Sequence, residues 1–105
     1  MREKVKIEKM QIGVKRLVLD VLKSHEPNLP ELATRLNHIE GVQEVNISLV
    51  EIDQNTESVK ITLEGENIDF DAVSKCLIDN GAVIHSVDEV SVSKEPDDRK
   101  STRKV

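Results

Sequence analysis

The sequence contains almost no aromatic residues: Phe70 is the only one among 105 residues, and tryptophan and tyrosine are absent. A four-stranded sheet that binds single-stranded RNA needs aromatic rings on which the bases can stack. This chain cannot supply such a set of rings, so we exclude that class of function. The hydrophobic core must therefore be built from aliphatic side chains.

Cysteine, basic charge and long apolar runs are also scarce. Cys76 is the only cysteine, so the chain can form neither an internal disulfide nor a metal site with several thiolate ligands. The formal net charge of -5 argues against binding to nucleic acid. No apolar run approaches the roughly 18 residues that a membrane span needs, and the N-terminus lacks the apolar stretch of a signal peptide. We therefore predict a cytoplasmic protein without nucleic-acid or membrane partners.

The two ends of the chain differ from the middle in composition. Residues 94–105 are predicted to form a disordered charged tail, because all but the last of them are polar or proline. Residues 1–12 are predicted to form an N-terminal arm that is disordered, partly helical or a continuation of the first strand, and Met10 is an alternative start to Met1. Residues 13–93 then form one domain, a common size for a single fold.

Between these ends the spacing of apolar residues switches between two periods. Alternating apolar residues predict strands, and apolar residues three or four positions apart predict helices. The strands are predicted over 14–22, 42–52, 59–64 and 82–92, and the helices begin after the N-caps Asn28 and Asp69 and end at Gly41 and Gly81. Two β-α-β units with right-handed crossovers, joined by a hairpin, predict an α+β ferredoxin-like sandwich. Its antiparallel sheet has the strand order 4-1-3-2, with both helices on one face.

The open face of this sheet is predicted to carry apolar side chains. Alternation places four of them around Asp20, namely Val18, Leu22, Val50 and Ile52, and one of the two parities of the last strand adds Ile84. The sequence does not decide which residues of strand 82–93 face the helices. Apolar residues on a solvated face indicate either scattered surface residues or self-association. We favour self-association, through this face or through an exposed strand edge.

Candidate metal ligands are concentrated at and after the end of the first strand. Asp20, His25 and Glu26 supply two carboxylates and an imidazole, which are ligands for divalent cations. The fold places this loop at the end of the sheet where three further polar residues lie: Asp53, Glu57 and Asn80. The simpler interpretation, which we favour, is that His25 and Glu26 are solvated loop residues and that Asp20 pairs with Lys60 on the neighbouring strand. No catalytic residue is predicted, and a non-enzymatic role is favoured.

Segments along most of the chain resemble an archaeal family known only as Domain of Unknown Function 211. The similar segments are KRLVLDVLKSHEP (15–27), EGV (40–42), VNI (45–47), ITLEG (61–65) and GAVIHSVDEV (81–90). The resemblance covers about residues 12–92. It implies an archaeal source, a ferredoxin-like fold, homo-oligomers that include closed rings, and a bound divalent cation such as calcium, without an established activity.

A looser resemblance is to the amino-acid-binding regulatory modules called ACT domains. Residues 29–33, Leu36 and the Gly41-Val42 pair are similar to the first helix and turn of those modules. ACT domains place Pro-Gly before that helix, whereas Pro27 here is followed by Asn28. The sequence therefore predicts a homo-oligomeric assembly or binding module with a candidate metal or small-ligand site. The alternative is an ACT-like domain that binds a small metabolite at a subunit interface.

Overall fold

Six secondary-structure elements form a single layered domain in the computed structural model, which describes the backbone of residues 10–96 and the side chains of residues 12–94. They are β1 (Met10–Ser24), α1 (Leu29–Asn37), β2 (Val42–Ile52), β3 (Thr56–Gly65), α2 (Phe70–Asp79) and β4 (Ala82–Pro96). The strands form one antiparallel sheet in the order β2-β3-β1-β4. The predicted element order and the predicted sheet order are both confirmed.

An aliphatic core fills the space between the sheet and the two helices. The sheet contributes Leu17, Leu19, Val21, Val59, Ile61 and Leu63, and the helices contribute Leu32, Leu36, Val73 and Leu77. All ten are almost completely buried, and burial of each aliphatic side chain of this size stabilises the fold by roughly 1.5–3 kcal/mol. Phe70, the only aromatic residue of the chain, lies at the start of α2 and is exposed rather than part of the core. The core is therefore held together by the two central strands and one face of each helix.

Three of the four helix ends lie where the sequence predicted them. The Asn28 Oδ1 accepts a hydrogen bond from the Glu31 N–H, and the Asp69 Oδ1 accepts one from the Ala72 N–H, so both predicted N-caps are confirmed. Gly81 directly follows the C-cap of α2 with φ +76°. However, α1 already ends at Asn37, and Gly41 belongs to the turn that leads into β2.

β-Bulges determine which side of the sheet each residue of β4 occupies. Three residues of β4 lie opposite core residues of β1: Ile84 opposite Val21, Val87 opposite Leu19, and Val90 opposite Leu17. Residues directly opposite each other share a face, so all three lie on the helix side. They are three residues apart in β4 whereas their partners are two apart, because each bulge inserts an extra residue. The residues of β4 that lie on the helix side are therefore neither all even-numbered nor all odd-numbered.

The open face does not carry the predicted apolar patch. Val18 lies on this face but is only 4% exposed. Val50 is the extra residue of a bulge in β2, which transfers Ile52 to the helix side, opposite Glu57. Leu22 is thus the only member of the predicted set that is both exposed and regularly paired on the open face. The patch was predicted from strict alternation, which the bulge interrupts.

The two longest strands extend beyond the rest of the sheet. β1 and β4 pair from Met10 opposite Pro96, outside the predicted domain bounds of 13 and 93. β3 first meets β1 at Arg16, opposite Glu64. Residues 10–14 and 92–96 consequently form a two-stranded extension, which we call the ribbon. The remainder of the predicted arm and tail lies outside the described residues.

Candidate functional site

The end of β1 opposite the ribbon carries a fully buried lysine. The side chain of Lys23 is 0% exposed and lies on the helix side of the sheet. Its Nζ donates hydrogen bonds to the Ser24 carbonyl oxygen at 2.8 Å and to the Glu57 Oε1 at 3.0 Å, with the His25 carbonyl oxygen at 3.4 Å. An ammonium group has three protons to donate. The buried charge is thus both paired and hydrogen bonded, which offsets the cost of removing it from water.

Glu57 joins this lysine to a histidine. Its Oε2 lies 3.0 Å from the His25 Nδ1, while its Oε1 accepts from Lys23. The hydrogen bond with His25, followed by the one with Lys23, lowers the pKa of the Glu57 carboxyl below its usual value. The second ring nitrogen of His25, Nε2, lies 2.9 Å from the Gln54 carbonyl oxygen in the β2–β3 turn. We call Lys23, His25 and Glu57 the Lys–His–Glu cluster.

The loop beside the cluster is fixed to the start of β4. The Ser24 N–H donates to the Gly81 carbonyl oxygen at 3.0 Å, and the Ser24 Oγ donates to the Glu26 carbonyl oxygen at 2.9 Å. Gly81 has a positive φ, and a Cβ at this position would lie 2.6 Å from the Ser24 Oγ. The cluster and this junction therefore connect β1, its following loop, the β2–β3 turn, β3 and β4.

The predicted metal ligands Asp20, His25 and Glu26 are not brought together. Asp20 lies on the open face, because its neighbours in β1 are buried on the helix side. Both ring nitrogens of His25 already contact acceptors of the protein, and the Glu26 side chain is exposed to solvent. Within residues 12–94 no group of three or more histidine, cysteine, aspartate or glutamate side chains is placed to hold a metal ion. The cluster is instead an ion-pair network.

The open face has ion pairs of its own, although not the predicted one. Asp20 lies directly opposite Lys60, as predicted, yet these two described side chains form no ion pair within 4.0 Å. Arg16 pairs with Glu64 on β3 and with Glu89 on β4. The hydrogen bonds to these two carboxylates raise the pKa of the Arg16 guanidinium.

The start of α1 differs from the ligand loop of an ACT domain. The Asn28 side chain accepts the Glu31 N–H at 2.9 Å and thereby occupies one of the free donors of the first helical turn. A ligand approaching this helix would meet a side chain rather than bare backbone. The described residues therefore provide no observation in favour of amino-acid binding here.

An apolar strip forms the second candidate site, at the far end of β1. Its members lie on the helix side, because Val90 and Val87 are opposite core residues and Val92 is opposite Val14, which packs against the core. We call this set the ribbon strip: Ile12, Val14, Val87, Val90 and Val92. All except Val14 are between 47% and 66% exposed. The strip is an aliphatic surface that no helix within residues 10–96 covers.

The lengths of the elements explain why α2 leaves this strip uncovered. The ten residues of α2 span about 15 Å, whereas the fifteen residues of β4 span about 50 Å. A helix of this length can cover only part of the strand. Coverage ends near the β3–α2 loop, where the Ile68 N–H donates to the Val14 carbonyl oxygen at 2.9 Å.

One contact of the cluster was predictable from the sequence, whereas two features of the structure were not. The predicted approach of His25 to Glu57 is confirmed. The burial of Lys23 was missed, although Lys23 continues the alternation of Leu19 and Val21 and so falls on the helix side. The ribbon strip was missed because the bulges of β4 have no recognisable sequence signal.

The fold and these surfaces define an α+β domain with a ferredoxin-like arrangement, in which no helix within residues 10–96 is long and apolar enough to span a membrane. The model of the family DUF211, described as uncharacterised ArCR, matches residues 15–104. An uncharacterised protein of Methanocaldococcus jannaschii is 45% identical over 83 residues, which cover 79% of this chain and 86% of that protein. The chain belongs to the archaeal DUF211 family, as its sequence resemblance predicted.

Proposed function

We propose that this protein is a module that assembles with copies of itself through the ribbon strip. The exposure of four aliphatic side chains on one side of the β1–β4 pair carries the proposal. Single exposed apolar residues are normal on a protein surface, but a continuous apolar surface typically marks an interaction site. Covering the strip would remove these side chains from water and stabilise the assembled state.

The charge distribution favours a second copy as the partner. The chain carries a net charge of -5, so two copies repel each other across much of their surfaces. Lys94, opposite Ile12, is the only ionisable residue directly paired with a member of the ribbon strip. The remaining members are paired with aliphatic residues, so the centres of two strips can approach without opposing like charges. An aliphatic surface is also compatible with itself about a two-fold axis. The negative charge disfavours nucleic acid and anionic membranes as alternative partners.

The strip supports packing of faces rather than pairing of strand edges. β4 is an edge strand, but its register shifts relative to β1 interrupt its regular geometry. β2, the other edge strand, has register shifts of its own. Bulges of this kind disfavour the addition of a neighbouring strand. The interface we propose is accordingly the helix side of the β1–β4 pair.

The test is the mass of the protein in solution, measured by light scattering during gel filtration at micromolar concentration. The wild-type protein is expected to have a mass of two or more chains, each of 11.8 kDa. Val90→Lys places a charge in the ribbon strip and should reduce the mass to that of one chain. Val83→Lys is the matched control, because Val83 and Val90 lie in the same strand and are equally exposed, at 54%. Val83 lies on the open side, opposite Leu22.

The outcomes separate the proposal from its alternatives. A wild-type mass of one chain would overturn self-assembly altogether. Dissociation by Val83→Lys but not by Val90→Lys would place the interface on the open face instead of on the ribbon strip. Circular dichroism of both variants establishes that they remain folded, so that a loss of mass reports on assembly.

A further inference from the structure

Both ring nitrogens of His25 face atoms that can only accept hydrogen bonds. Nδ1 lies 3.0 Å from the Glu57 Oε2, and Nε2 lies 2.9 Å from the Gln54 carbonyl oxygen. A neutral imidazole carries one N–H and one lone pair, whereas an imidazolium carries two N–H groups. The two contacts can therefore both be hydrogen bonds only when His25 is positively charged.

We infer that His25 is a proton-operated clamp between the β1–α1 loop and the β2–β3 turn. With both nitrogens protonated, it ties the loop to β3 through Glu57 and to the turn through Gln54. Loss of one proton removes one of these two hydrogen bonds. The clamp lies at the opposite end of β1 from the ribbon strip and does not depend on self-assembly.

The surroundings of His25 decide which half of the clamp opens. The bond to Glu57 joins the ring to an ionised carboxylate, and such bonds are stronger than those to a neutral carbonyl. Lys23 also holds the same carboxylate, through the Oε1, at 3.0 Å. The remaining proton therefore stays on Nδ1, and the lone pair on Nε2 then faces the Gln54 carbonyl oxygen. The β2–β3 turn is then released from His25. The turn itself keeps its conformation, because the Asp53 N–H still donates to the Thr56 carbonyl oxygen at 2.8 Å.

The charges around the ring set the direction of the pH response. The hydrogen bond to Glu57 on β3, followed by the one to the Gln54 carbonyl oxygen, raises the pKa of His25 above 6.5, while the ammonium group of Lys23 on β1 opposes this shift. Two further ionisable residues flank the clamp in the sequence: Glu26, which follows His25 in the loop, and Asp53, which precedes Gln54 in the turn. Because the folded pKa is the higher one, the stabilisation is fully present below pH 6.5 and is lost as the pH rises through the folded pKa.

The side chain of His25 is accessible to the solvent protons that would operate it. It is 43% exposed, unlike the buried Lys23 beside it. Protonation can therefore follow the pH without unfolding of the core. Opening requires only that the β2–β3 turn moves away from the loop.

The test is an NMR titration of the full-length protein in the presence of EDTA, which removes divalent cations as a cause of any shift. The ring ¹⁵N signals of His25 report its protonation, and the backbone ¹³C′ signal of Gln54 reports the hydrogen bond to its carbonyl. Both are expected to change with one common midpoint, which lies above the midpoint of His25 in the urea-unfolded chain. A Gln54 signal that does not follow the ring of His25, or a midpoint at or below the unfolded value, would overturn the clamp.

Three variants separate the clamp from general effects of pH. His25→Gln should abolish the transition at Gln54, whereas His85→Gln, at an exposed histidine of β4, should leave it unchanged. Glu57→Gln removes the carboxylate charge and should lower the His25 midpoint. Persistence of the Gln54 transition in folded His25→Gln protein would contradict the inference. An unchanged His25 midpoint in Glu57→Gln would contradict it independently.

Discussion

At one end of β1 a lysine is completely buried, and at the other end an isoleucine is largely exposed. Lys23 lies between the sheet and the helices with acceptors for its ammonium protons. Ile12 lies on the same side of the sheet but is 66% exposed. Polarity alone would assign the opposite environments to these two residues. The position of each relative to the short helices accounts for what is observed.

The comparison distinguishes a region that is complete within one chain from a region that is not. At the Lys23 end, every hydrogen-bonding group of the cluster finds a partner in the same chain, and no buried side-chain nitrogen or oxygen in the described residues lacks one. At the ribbon end, the apolar surface has no partner among the described residues. The first arrangement is typical of a structural site, and the second of an interface.

The largest effect is expected from removing the buried ammonium group. Lys23→Ala leaves the Glu57 Oε1 and two carbonyl oxygens without the lysine donor in a partly buried site, while the Glu57 Oε2 keeps its contact with His25. Breaking a buried ion pair in this way costs several kcal/mol, so the free energy of unfolding should fall by about 4 kcal/mol. Urea denaturation at a fixed protein concentration measures the change.

The matched control for this variant is Lys60→Ala. Lys60 is exposed in the middle of the open face and forms no ion pair with the opposite residue Asp20. Its replacement should change the free energy of unfolding by no more than about 0.5 kcal/mol. Equal effects of the two variants would contradict the distinction between a buried lysine and an exposed one.

The next effect compares two residues that lie opposite each other on the same side of the sheet. Leu19 is fully buried beneath the helices, and its partner Val87 is 47% exposed in the ribbon strip. Leu19→Ala should lower the free energy of unfolding by about 3 kcal/mol, because it leaves a cavity in the core. Val87→Ala should cost about 0.5 kcal/mol in dilute solution.

Protein concentration sharpens this second comparison. If the ribbon strip is covered by another copy, the cost of Val87→Ala should increase with concentration, because assembly stabilises the folded chain by mass action. The cost of Leu19→Ala should not change in this way. A concentration-independent Val87→Ala effect, measured over a hundredfold range by thermal unfolding, would argue that the strip stays exposed.

The fold was predictable where a regular period persists along the chain. Leu17, Leu19 and Val21 alternate without interruption, and they correctly identify the buried face of β1. The prediction from alternation was wrong after Val50, because a bulge inserts one residue there and places Ile52 on the helix side of the sheet instead of the open side. These bulges depend on backbone geometry and not on a characteristic residue, so no sequence pattern in β2 or β4 predicted them.

The candidate site was predictable in its position rather than in its chemistry. The topology brings the loop after β1 close to the start of β3, and this placed His25 near Glu57. The metal interpretation relied on residue types alone. It could not anticipate that the carbonyl oxygen of Gln54, which any residue could supply, occupies the second ring nitrogen. Lys23 was missed because an isolated lysine is rarely buried.

A smaller effect is expected where the ribbon joins the rest of the domain. A Cβ at Gly13 would lie 2.7 Å from the Asn67 Cα, which is backbone and cannot move aside without shifting the β3–α2 loop. Gly13→Ala should therefore lower the free energy of unfolding by about 1–2 kcal/mol. Ser91→Ala, at an exposed position of β4, should be close to neutral by the same denaturation measurement. A neutral Gly13→Ala would indicate that the ribbon is attached less tightly than the contacts imply.

The smallest effect concerns Val18, which is buried although neither α1 nor α2 covers it. Val18 lies opposite Glu89, and the guanidinium of Arg16 bonds to that carboxylate and to Glu64 on the other side. We therefore attribute the burial of Val18 to the arginine side chain, since long charged side chains cover apolar surface with their methylene groups. Arg16→Met keeps such a chain without the ion pairs, which contribute little on an exposed surface. Arg16→Ala removes both, so it should lower the melting temperature more than Arg16→Met does. Equal losses that disappear in 1 M salt would instead assign the whole effect to the ion pairs.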